Sequence, residues 1–200
     1  MSKIVTFLHT TLDGVAQGPG HPDEDRSGGF KDGGWSQQFS DEALGKAIGA
    51  HMGQTGGLLF GRKTYEHFFK VWPNRKDGNP FTPVLNNTMK YVVSRTLKEP
   101  LPWQNSTLLG GDGEQSVAKL RQRKGAALVI LGSISLVQSL LRAHLIDELT
   151  ITINPLLIGS GRRLLDGIPC EKLRLVSSMT TPKGVILVTY EPEQTAGKAA

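Results

Sequence analysis

The sequence predicts an α/β protein with a mostly parallel central sheet, helices on both faces and an antiparallel edge at its C-terminal end. Short apolar and β-branched runs alternate with segments of helical spacing from Lys3 to Asn154. The run Ala127 to Leu131 is apolar throughout, which is typical of a strand covered on both faces of a parallel sheet. Its 200 residues suit one domain over residues 1–192 and a disordered tail over residues 193–200.

Strands and helices follow one another in a regular order. The first helix is predicted to be capped by Ser40 and to run to about Met52, because Asp41 and Glu42 suit the positive end of a helix. A short helix follows Gly61, and residues 72–83 are predicted to be loop because of their prolines. Two later helices are expected at 114–123 and from 134 to about 144. The predicted strands are residues 3–9, 58–60, 90–94, 107–109, 127–131, 148–154 and 185–190.

Composition excludes several classes of protein. A single cysteine, Cys170, excludes an intramolecular disulfide framework and a thiolate zinc cluster, and it fits a reducing compartment. No run approaches the roughly 18 apolar residues of a membrane span, so we expect a cytoplasmic protein with no membrane partner. The five histidines show no metal-ligand spacing, so no metal is expected. A net charge of +5 permits nucleic-acid binding, but basic residues are not interleaved with aromatic ones, and that hypothesis is disfavoured.

Polar and glycine-containing turns follow the predicted strands. Ligands of open α/β sheets bind at the carboxyl ends of the strands, where glycine admits a ligand to the backbone and helix N-termini bind anions. Neither the G-x-G-x-x-G fingerprint after the first strand nor a Walker A loop is present. The turns are Thr10 to Gly14, Gly61 to Thr64, Ser94 to Thr96, Gly110 to Asp112 and Gly132-Ser133.

Taken in order, these turns resemble those of the dihydrofolate reductase fold. The later segment Leu145 to Leu149, followed by Pro155 to Gly161, is similar to the RibD C-terminal branch of that fold, the bacterial riboflavin-pathway reductases. The resemblance covers residues 3–190 and implies an NADPH-dependent reductase that acts on a small heterocyclic or sugar-derived molecule. It also implies a homodimer, with the segment from Leu145 to Gly159 at the seam.

The resemblance also implies roles for individual residues. Asp13 is the candidate catalytic residue, as a proton relay or by orienting the substrate; the alternative is an Asp-Gly turn residue bonded to its own backbone. Trp35 either stacks on a planar substrate or packs within the long glycine-rich loop over residues 18–40. Ser133 is expected to cap the following helix and to contact phosphate. The residues placed against NADPH are Thr11, Gly14, Ala16, Gly61, Arg62, Lys63, Thr64, Ser94, Arg95, Leu131, Gly132, Ser133, Ile134 and Ser135.

Two departures from the folate reductase pattern bear on function. Folate reductases carry a run of glycines where this chain has Gly132-Ser133-Ile134, although Gly-Ser is familiar in the RibD-like branch. They also hold the pteridine with an acidic residue buried in the first helix, whereas Asp41 and Glu42 lie at the helix start, where capping explains them. Folate itself is therefore not the expected substrate.

Two alternatives complete the sequence-based expectations. His9, in the first strand, is interpreted as a hydrogen-bonded core histidine rather than an acid. The alternative function for the whole chain is a non-catalytic NADP(H)-binding module.

Overall fold

A computed structural model describes residues 1–53 and 55–193. Eight strands form one sheet in the order β4-β3-β2-β5-β1-β6-β8-β7. The pairs from β4 to β6 are parallel, and β8 pairs antiparallel with both β6 and β7. The strands are β1 Ile4–Thr11, β2 Thr55–Gly61, β3 Lys90–Val93, β4 Ser106–Leu109, β5 Ala127–Leu131, β6 Glu148–Asn154, β7 Leu173–Thr180 and β8 Ile186–Pro192.

Five α-helices in the described part of the chain cover the two faces of the sheet. They are α1 Glu42–Met52, α2 Arg62–Val71, α3 Phe81–Asn87, α4 Gly113–Arg121 and α5 Ile134–Arg142. Residues of α4 and α5 form one core with one face of the sheet, and residues of α1, α2 and α3 form a second core with the other face. The mostly parallel sheet, the helices on both faces and the antiparallel ending are therefore confirmed.

The alternation of β1 decides which side chains reach each core. Ile4 and Leu8 belong to the core on the α5 side, whereas Val5 and Phe7 belong to the core on the α1 side. His9 continues the α1-side series toward the carboxyl end of the strand, because side chains two residues apart share a face. The polar carboxyl end of β1 therefore presents groups to both sides of the sheet.

Three details of the predicted elements were wrong. The cap of α1 is Asp41, whose carboxylate accepts a hydrogen bond from the Leu44 N–H at 2.8 Å, rather than Ser40. Helix α3 lies within and beyond the segment predicted to be loop, with Pro83 in its first turn, where a missing N–H costs little. Strand β7 was missed; its residues are mostly exposed, and its register shifts between Leu175 and Ser177.

Strand order brings four predicted turns into one row. The carboxyl ends of β3, β2, β5 and β1 are neighbours at the same edge, because these strands are parallel and adjacent. Three strand spacings of ~4.8 Å make this row about 15 Å long. No helix among the described residues is both long and apolar enough to cross a membrane. The predicted tail, apart from Glu193, lies outside the described residues.

Candidate active site

The N-termini of α2 and α5 are joined side by side at this edge. The Ser133 hydroxyl accepts a hydrogen bond from the Gly61 N–H at 2.9 Å. Gly132 and Ser133 both adopt left-handed backbone angles, with φ of 63° and 62°, and this turns the chain sharply from β5 into α5. Ser133 occupies the N-cap position of α5, as predicted, but its hydroxyl makes no capping hydrogen bond, because it is bonded to the neighbouring corner.

The paired helix ends provide unbonded donors and positive charge. The first N–H groups of a helix, here those of Ile134 and Ser135, have no acceptor within the helix. The aligned peptide dipoles of α2 and α5 add partial positive charge at the same place. Arg62 and Lys63 open α2 with exposed or partly exposed side chains, although Arg62 lies 3.4 Å from the Glu66 carboxylate one turn later. This corner is suited to an anionic group.

The Gly132 turn packs closely against α2. A β-carbon built on Gly132 would lie 3.2 Å from the Thr64 methyl group, and the φ of 63° already disfavours any other residue. The two corners are therefore in direct contact, through the Ser133 hydroxyl and through the Thr64 methyl group. Gly132 and Ser133 thus lie beside Thr64 and Gly61. The contact with NADPH predicted for these residues and for Leu131 stays a prediction.

The corner after β3 lies at the far end of the row. The buried Ser94 hydroxyl accepts hydrogen bonds from the N–H groups of Thr96 and Leu97, at 3.1 and 3.0 Å. Ser94 thereby shapes the turn, and the Arg95 side chain is left exposed. Arg95 is available to a charged ligand at this end.

The corner after β1 is held by the Asp13 carboxylate. One oxygen accepts a hydrogen bond from the Thr11 hydroxyl at 2.6 Å, and the other accepts from the Gly159 N–H at 2.8 Å. The Arg163 guanidinium donates to the Asp13 carbonyl at 2.8 Å. The bonds from Thr11 and Gly159 lower the pKa of Asp13 to about 2. An ionised carboxylate bonded in this way fixes the turn and has no proton to donate at neutral pH.

Gly14 and Ala16 continue this corner. Gly14 adopts a φ of +81°, and its N–H donates to the Thr11 carbonyl at 3.0 Å. Ala16 is buried, and its N–H donates to the Arg162 carbonyl at 2.9 Å. Both residues therefore lie in a rigid turn at the end of the row, next to the chain that follows β6.

The loop over residues 18–40, which we name the lid, is organised around a buried glutamine. The Gln17 amide donates to the carbonyls of Asp25 and Ser27, at 3.1 and 2.9 Å, and accepts from the Arg162 N–H at 3.0 Å. Trp35 is only 5% exposed, and its indole N–H donates to the Gln17 carbonyl at 2.8 Å. The indole packs within the lid, as in the second of its two predicted roles.

Opposite charges attach the lid to the site. The Asp25 carboxylate forms an ion pair with Arg162, and it also interacts electrostatically with the charge of Lys63. Burial acts to raise the pKa of Asp25, but the Ser27 hydrogen bonds and the charges of Arg162 and Lys63 outweigh it and lower the pKa. Asp25 of the lid therefore interacts both with Arg162, in the segment after β6, and with Lys63, in the first turn of α2.

Neutral polar groups line the α1 side of the same edge. His9 Nδ1 lies 2.8 Å from the Thr152 hydroxyl, which also accepts a hydrogen bond from the Asn154 amide at 3.2 Å. Burial lowers the pKa of His9 to about 4, so its imidazole is uncharged at neutral pH. His9 is hydrogen-bonded, as interpreted from the sequence.

Comparison with known proteins identifies the family of this chain. The model of the RibD C-terminal domain matches residues 2–187. The chain belongs to the RibD C-terminal domain family. Two uncharacterized proteins of Bacillus subtilis (strain 168) are similar to it: YyaP, 25% identical over 94% of both chains, and YwjB, 29% identical over 86% of this chain and 88% of the other.

Solved structures agree with this assignment at the level of the fold. A putative riboflavin biosynthesis protein from Shewanella sp. PV-4 superposes with a TM-score of 0.73, at 22% identity, covering 97% of this chain and all of that one. Dihydrofolate reductase from Enterococcus faecalis, solved with NADP(H), gives 0.59 at 14% identity, with 96% of each chain covered. RibD of Acinetobacter baumannii gives 0.60 at 15% identity, covering 97% of this chain and 59% of that one.

Several residues that build the site of this RibD C-terminal domain were missed in the sequence. Gln17, Arg162 and Arg163 hold the lid and the Asp13 corner, yet each lies in a segment without periodicity. Thr152 had a usable signal, because the alternation of β6 places it on the polar face with Asn154. Its contact with His9 depends on the β1–β6 register, which one sequence does not reveal.

Proposed function

We propose that this RibD C-terminal domain is an NADPH-dependent oxidoreductase. It would transfer a hydride to the carbon of a C=N or C=O bond in a small heterocyclic or sugar-derived compound, as a 5-amino-6-(5-phosphoribosylamino)uracil reductase or a dihydrofolate reductase does. The observation that carries the proposal is the continuous row of corners after β3, β2, β5 and β1, with two helix N-termini joined at its centre by Ser133 and Gly61.

The residues present fit an anionic dinucleotide. Ile134 and Ser135 would donate their free N–H groups to the pyrophosphate, and Gly132, which has no side chain, would allow it to approach the backbone. The exposed Arg62 and Arg95 would hold the 2′-phosphate through charge-assisted hydrogen bonds. Lys63 contributes less in this proposal, since the Asp25 carboxylate already offsets its charge.

In the proposed reaction the protein binds, orients and excludes water. The cofactor supplies the hydride when bound. Asp13 keeps the β1 corner rigid beside the reacting face and acts as a positioning residue, since its ionised carboxylate holds no proton. The proton that completes the reduction comes from water. Trp35 stabilises the lid and does not stack on the substrate, because its indole is buried within that loop.

Titration of NADPH and NADH tests the proposal directly. Arg62→Ala and Arg95→Ala should each weaken NADPH binding by about 1–3 kcal/mol, the value of a hydrogen bond to a charged group, and leave NADH binding unchanged. Arg174→Ala is the matched control, because Arg174 lies on β7 at the opposite end of the sheet and pairs with Glu191. Equal losses for both cofactors would remove the two arginines from the 2′-phosphate role.

Turnover separates the reductase from a non-catalytic NADP(H)-binding module. Oxidation of NADPH, followed at its nicotinamide absorbance with candidate heterocycles, is expected only of the enzyme. Tight NADPH binding with no oxidation across carbonyl- and imine-bearing heterocycles would favour the module instead.

We also propose that the protein is a homodimer. Leu12, 65% exposed, lines a cavity of ≈270 Å³ whose other apolar lining includes Leu165 and Ile153. Leu157, 69% exposed, follows Leu156, whose carbonyl accepts a hydrogen bond from the Leu12 N–H at 2.9 Å. Covering these groups with a second copy would remove apolar surface from water. Light scattering should give twice the chain mass, and Leu157→Glu should shift the population to monomer; a monomeric wild-type protein would contradict the proposal.

A further inference from the structure

The α1-side row of β1 changes character at His9. Val5 and Phe7 precede it on the same face and are 5% and 4% exposed, sealed beneath α1. His9 as a residue is partly exposed, and its Nε2 is not fully buried, although the ring is covered enough for burial to lower its pKa. The covering by α1 is therefore thinner at this position than over Val5 and Phe7. His9 and Thr11 share a face of β1, about 6.6 Å apart along the strand, so the ring lies next along that face from the residue that bonds Asp13.

Hydrogen bonding fixes the orientation and the tautomer of this ring. Asn154 donates to the Thr10 carbonyl at 2.9 Å and to the Thr152 hydroxyl oxygen at 3.2 Å; a flipped amide would place its oxygen against that carbonyl. Thr152 therefore accepts one bond and has its own proton left to donate. The acceptor within reach is His9 Nδ1, at 2.8 Å. This assignment places the imidazole proton on Nε2.

The Nε2–H group is a donor without a protein acceptor. In the part of the chain that the structure describes, no hydrogen bond is made by Nε2, whereas Nδ1 is bonded. Burial holds the pKa of His9 at about 4, so this donor stays neutral throughout the physiological range. The phenyl ring of Phe7 packs against the imidazole in a T-shaped arrangement, with ring centroids 5.8 Å apart, and limits its rotation.

The helix facing this ring offers no anion to a charged ligand. Within the described residues of α1, the two acidic groups of its N-terminus are engaged elsewhere: Asp41 caps the helix, and Glu42 pairs with Lys46 at 2.7 Å on the solvent side. The inward side chains of α1 are the buried, apolar Leu44 and Met52 and the imidazole of His51, whose ring centroid lies 5.5 Å from that of Phe7 and whose pKa is lowered by burial. A protonated heterocycle would therefore lose hydration here and gain no countercharge from α1, and the Asp13 carboxylate at the β1 corner is already bonded to Thr11 and Gly159.

We propose that His9 Nε2–H is the hydrogen-bond donor that holds an uncharged carbonyl or imine acceptor of the substrate beside the β1 corner, and so selects neutral heterocycles over protonated ones. Thr152 is then a positioning residue, because it fixes the tautomer of His9. This inference rests on the proposed function. A fixed neutral donor also stabilises negative charge that develops on the acceptor atom as hydride arrives at the neighbouring carbon.

The first experiment observes the imidazole itself. Long-range ¹H–¹⁵N spectra of protein labelled in histidine should show His9 as the Nε2–H tautomer from pH 6 to pH 8. Thr152→Val should give a mixture of tautomers, and Thr152→Ser should restore the wild-type signal. A His9 that carries its proton on Nδ1, or that protonates near pH 6.5, would overturn the inference, and neither result involves NADPH.

The second experiment uses two probes, in the presence of saturating NADPH. Uracil presents neutral carbonyl acceptors and 2,4-diaminopyrimidine is protonated near pH 7, so uracil should bind more tightly and should shift the Nε2 resonance. His9→Phe should weaken uracil binding about fivefold to tenfold, the effect of one lost neutral hydrogen bond. His9→Gln, which keeps an N–H donor, should weaken it less, and NADPH affinity should not change.

Controls separate this inference from the proposed function. His144→Phe removes an exposed histidine that pairs with Glu171, and it should leave both probes unaffected. If NADPH does not bind, the proposed function fails, and the uracil titration without NADPH still decides the role of His9. If NADPH binds but the Nε2 resonance of His9 does not move when uracil is added, the inference fails while the proposed function stands. Tighter binding of the diaminopyrimidine than of uracil would have the same meaning.

Discussion

Replacement of Asp13 by asparagine isolates the contribution of one carboxylate to the most tightly bonded corner of the site. In the folded chain the carboxylate accepts hydrogen bonds from the Thr11 hydroxyl and from the N–H groups of Ile158 and Gly159, at 2.6, 3.3 and 2.8 Å. An asparagine amide at this position would keep one acceptor oxygen and would turn an N–H donor toward groups that also donate. The substitution should therefore destabilise the junction between β1 and the segment after β6.

The pKa of Asp13 sets the size of the effect. A pKa of about 2 in the folded chain, against 3.8 for the free side chain, corresponds to about 2 kcal/mol of stabilisation at neutral pH. The side chain is 18% exposed, and screening by nearby solvent reduces the expected loss to about 1–2 kcal/mol. The folded pKa is the lower one, so this stabilisation is complete above pH 3.8 and is lost as the pH falls toward 2.

Urea unfolding at pH 7 and at pH 2, followed by tryptophan fluorescence, measures both quantities. The Asp13→Asn protein should unfold at lower urea than wild type at pH 7, and the difference should shrink at pH 2. Asp112→Asn is the matched control: Asp112 caps α4 through one hydrogen bond from Gln115, and asparagine caps a helix as well as aspartate, so the change should stay within about 0.5 kcal/mol. Equal stability of wild type and Asp13→Asn at pH 7 would refute the reasoning.

Three further substitutions test other parts of the fold. Lys90→Met should destabilise the protein by about 1–3 kcal/mol, because the buried ammonium donates to three backbone carbonyls. Burial lowers the pKa of Lys90 to about 8 in the folded chain, against 10.5 for the free side chain. The stability of wild type relative to the variant should therefore rise as the pH increases from 8 to 10.5, as measured by urea unfolding. Gly161→Ala should lower the melting temperature and expose the lid to trypsin more than Gly159→Ala does. A β-carbon at position 161 would lie 2.8 Å from the Phe30 ring, whereas one at position 159 would meet no atom within 4 Å. Equal effects of the two substitutions would contradict this packing. The free energy of unfolding of wild type should fall by up to about 3 kcal/mol as the pH falls from 6.5 to 4, because the pKa of His9 is about 4 in the folded chain and higher in the unfolded chain. His9→Gln should abolish this part of the pH dependence. The same pH dependence in wild type and variant would show that His9 is charged in the folded protein over this range.

The sequence was most informative where local chemistry and topology agree. Parallel strands bring their carboxyl ends to one edge, so the turns at Thr11, Gly61, Ser94 and Gly132 could be placed together from the sequence alone. The apolar run of β5 sufficed to predict a central strand. These are short-range signals combined with one geometric rule.

The remainder of the fold depends on contacts that a single sequence hides. Helix α3 was missed because Pro83 suggests a helix breaker, although proline is tolerated in a first turn. The hydroxyl of Ser133 was expected on its own helix, but left-handed angles turn it to Gly61. The choice between the two roles of Trp35 depended on Gln17, a residue whose burial has no sequence signature.

The bulge in β7 bears on how the molecule remains separate from its neighbours. Among residues 1–53 and 55–193, β7 is the last strand of the sheet and no strand pairs with its outer side, and it carries Leu175 and Val176, which are 50% and 45% exposed. A straight apolar border of this kind invites strand addition by other chains and the growth of fibrils. The shift between Leu175 and Ser177 breaks that border into two short stretches set at an angle, so an incoming strand cannot align with both.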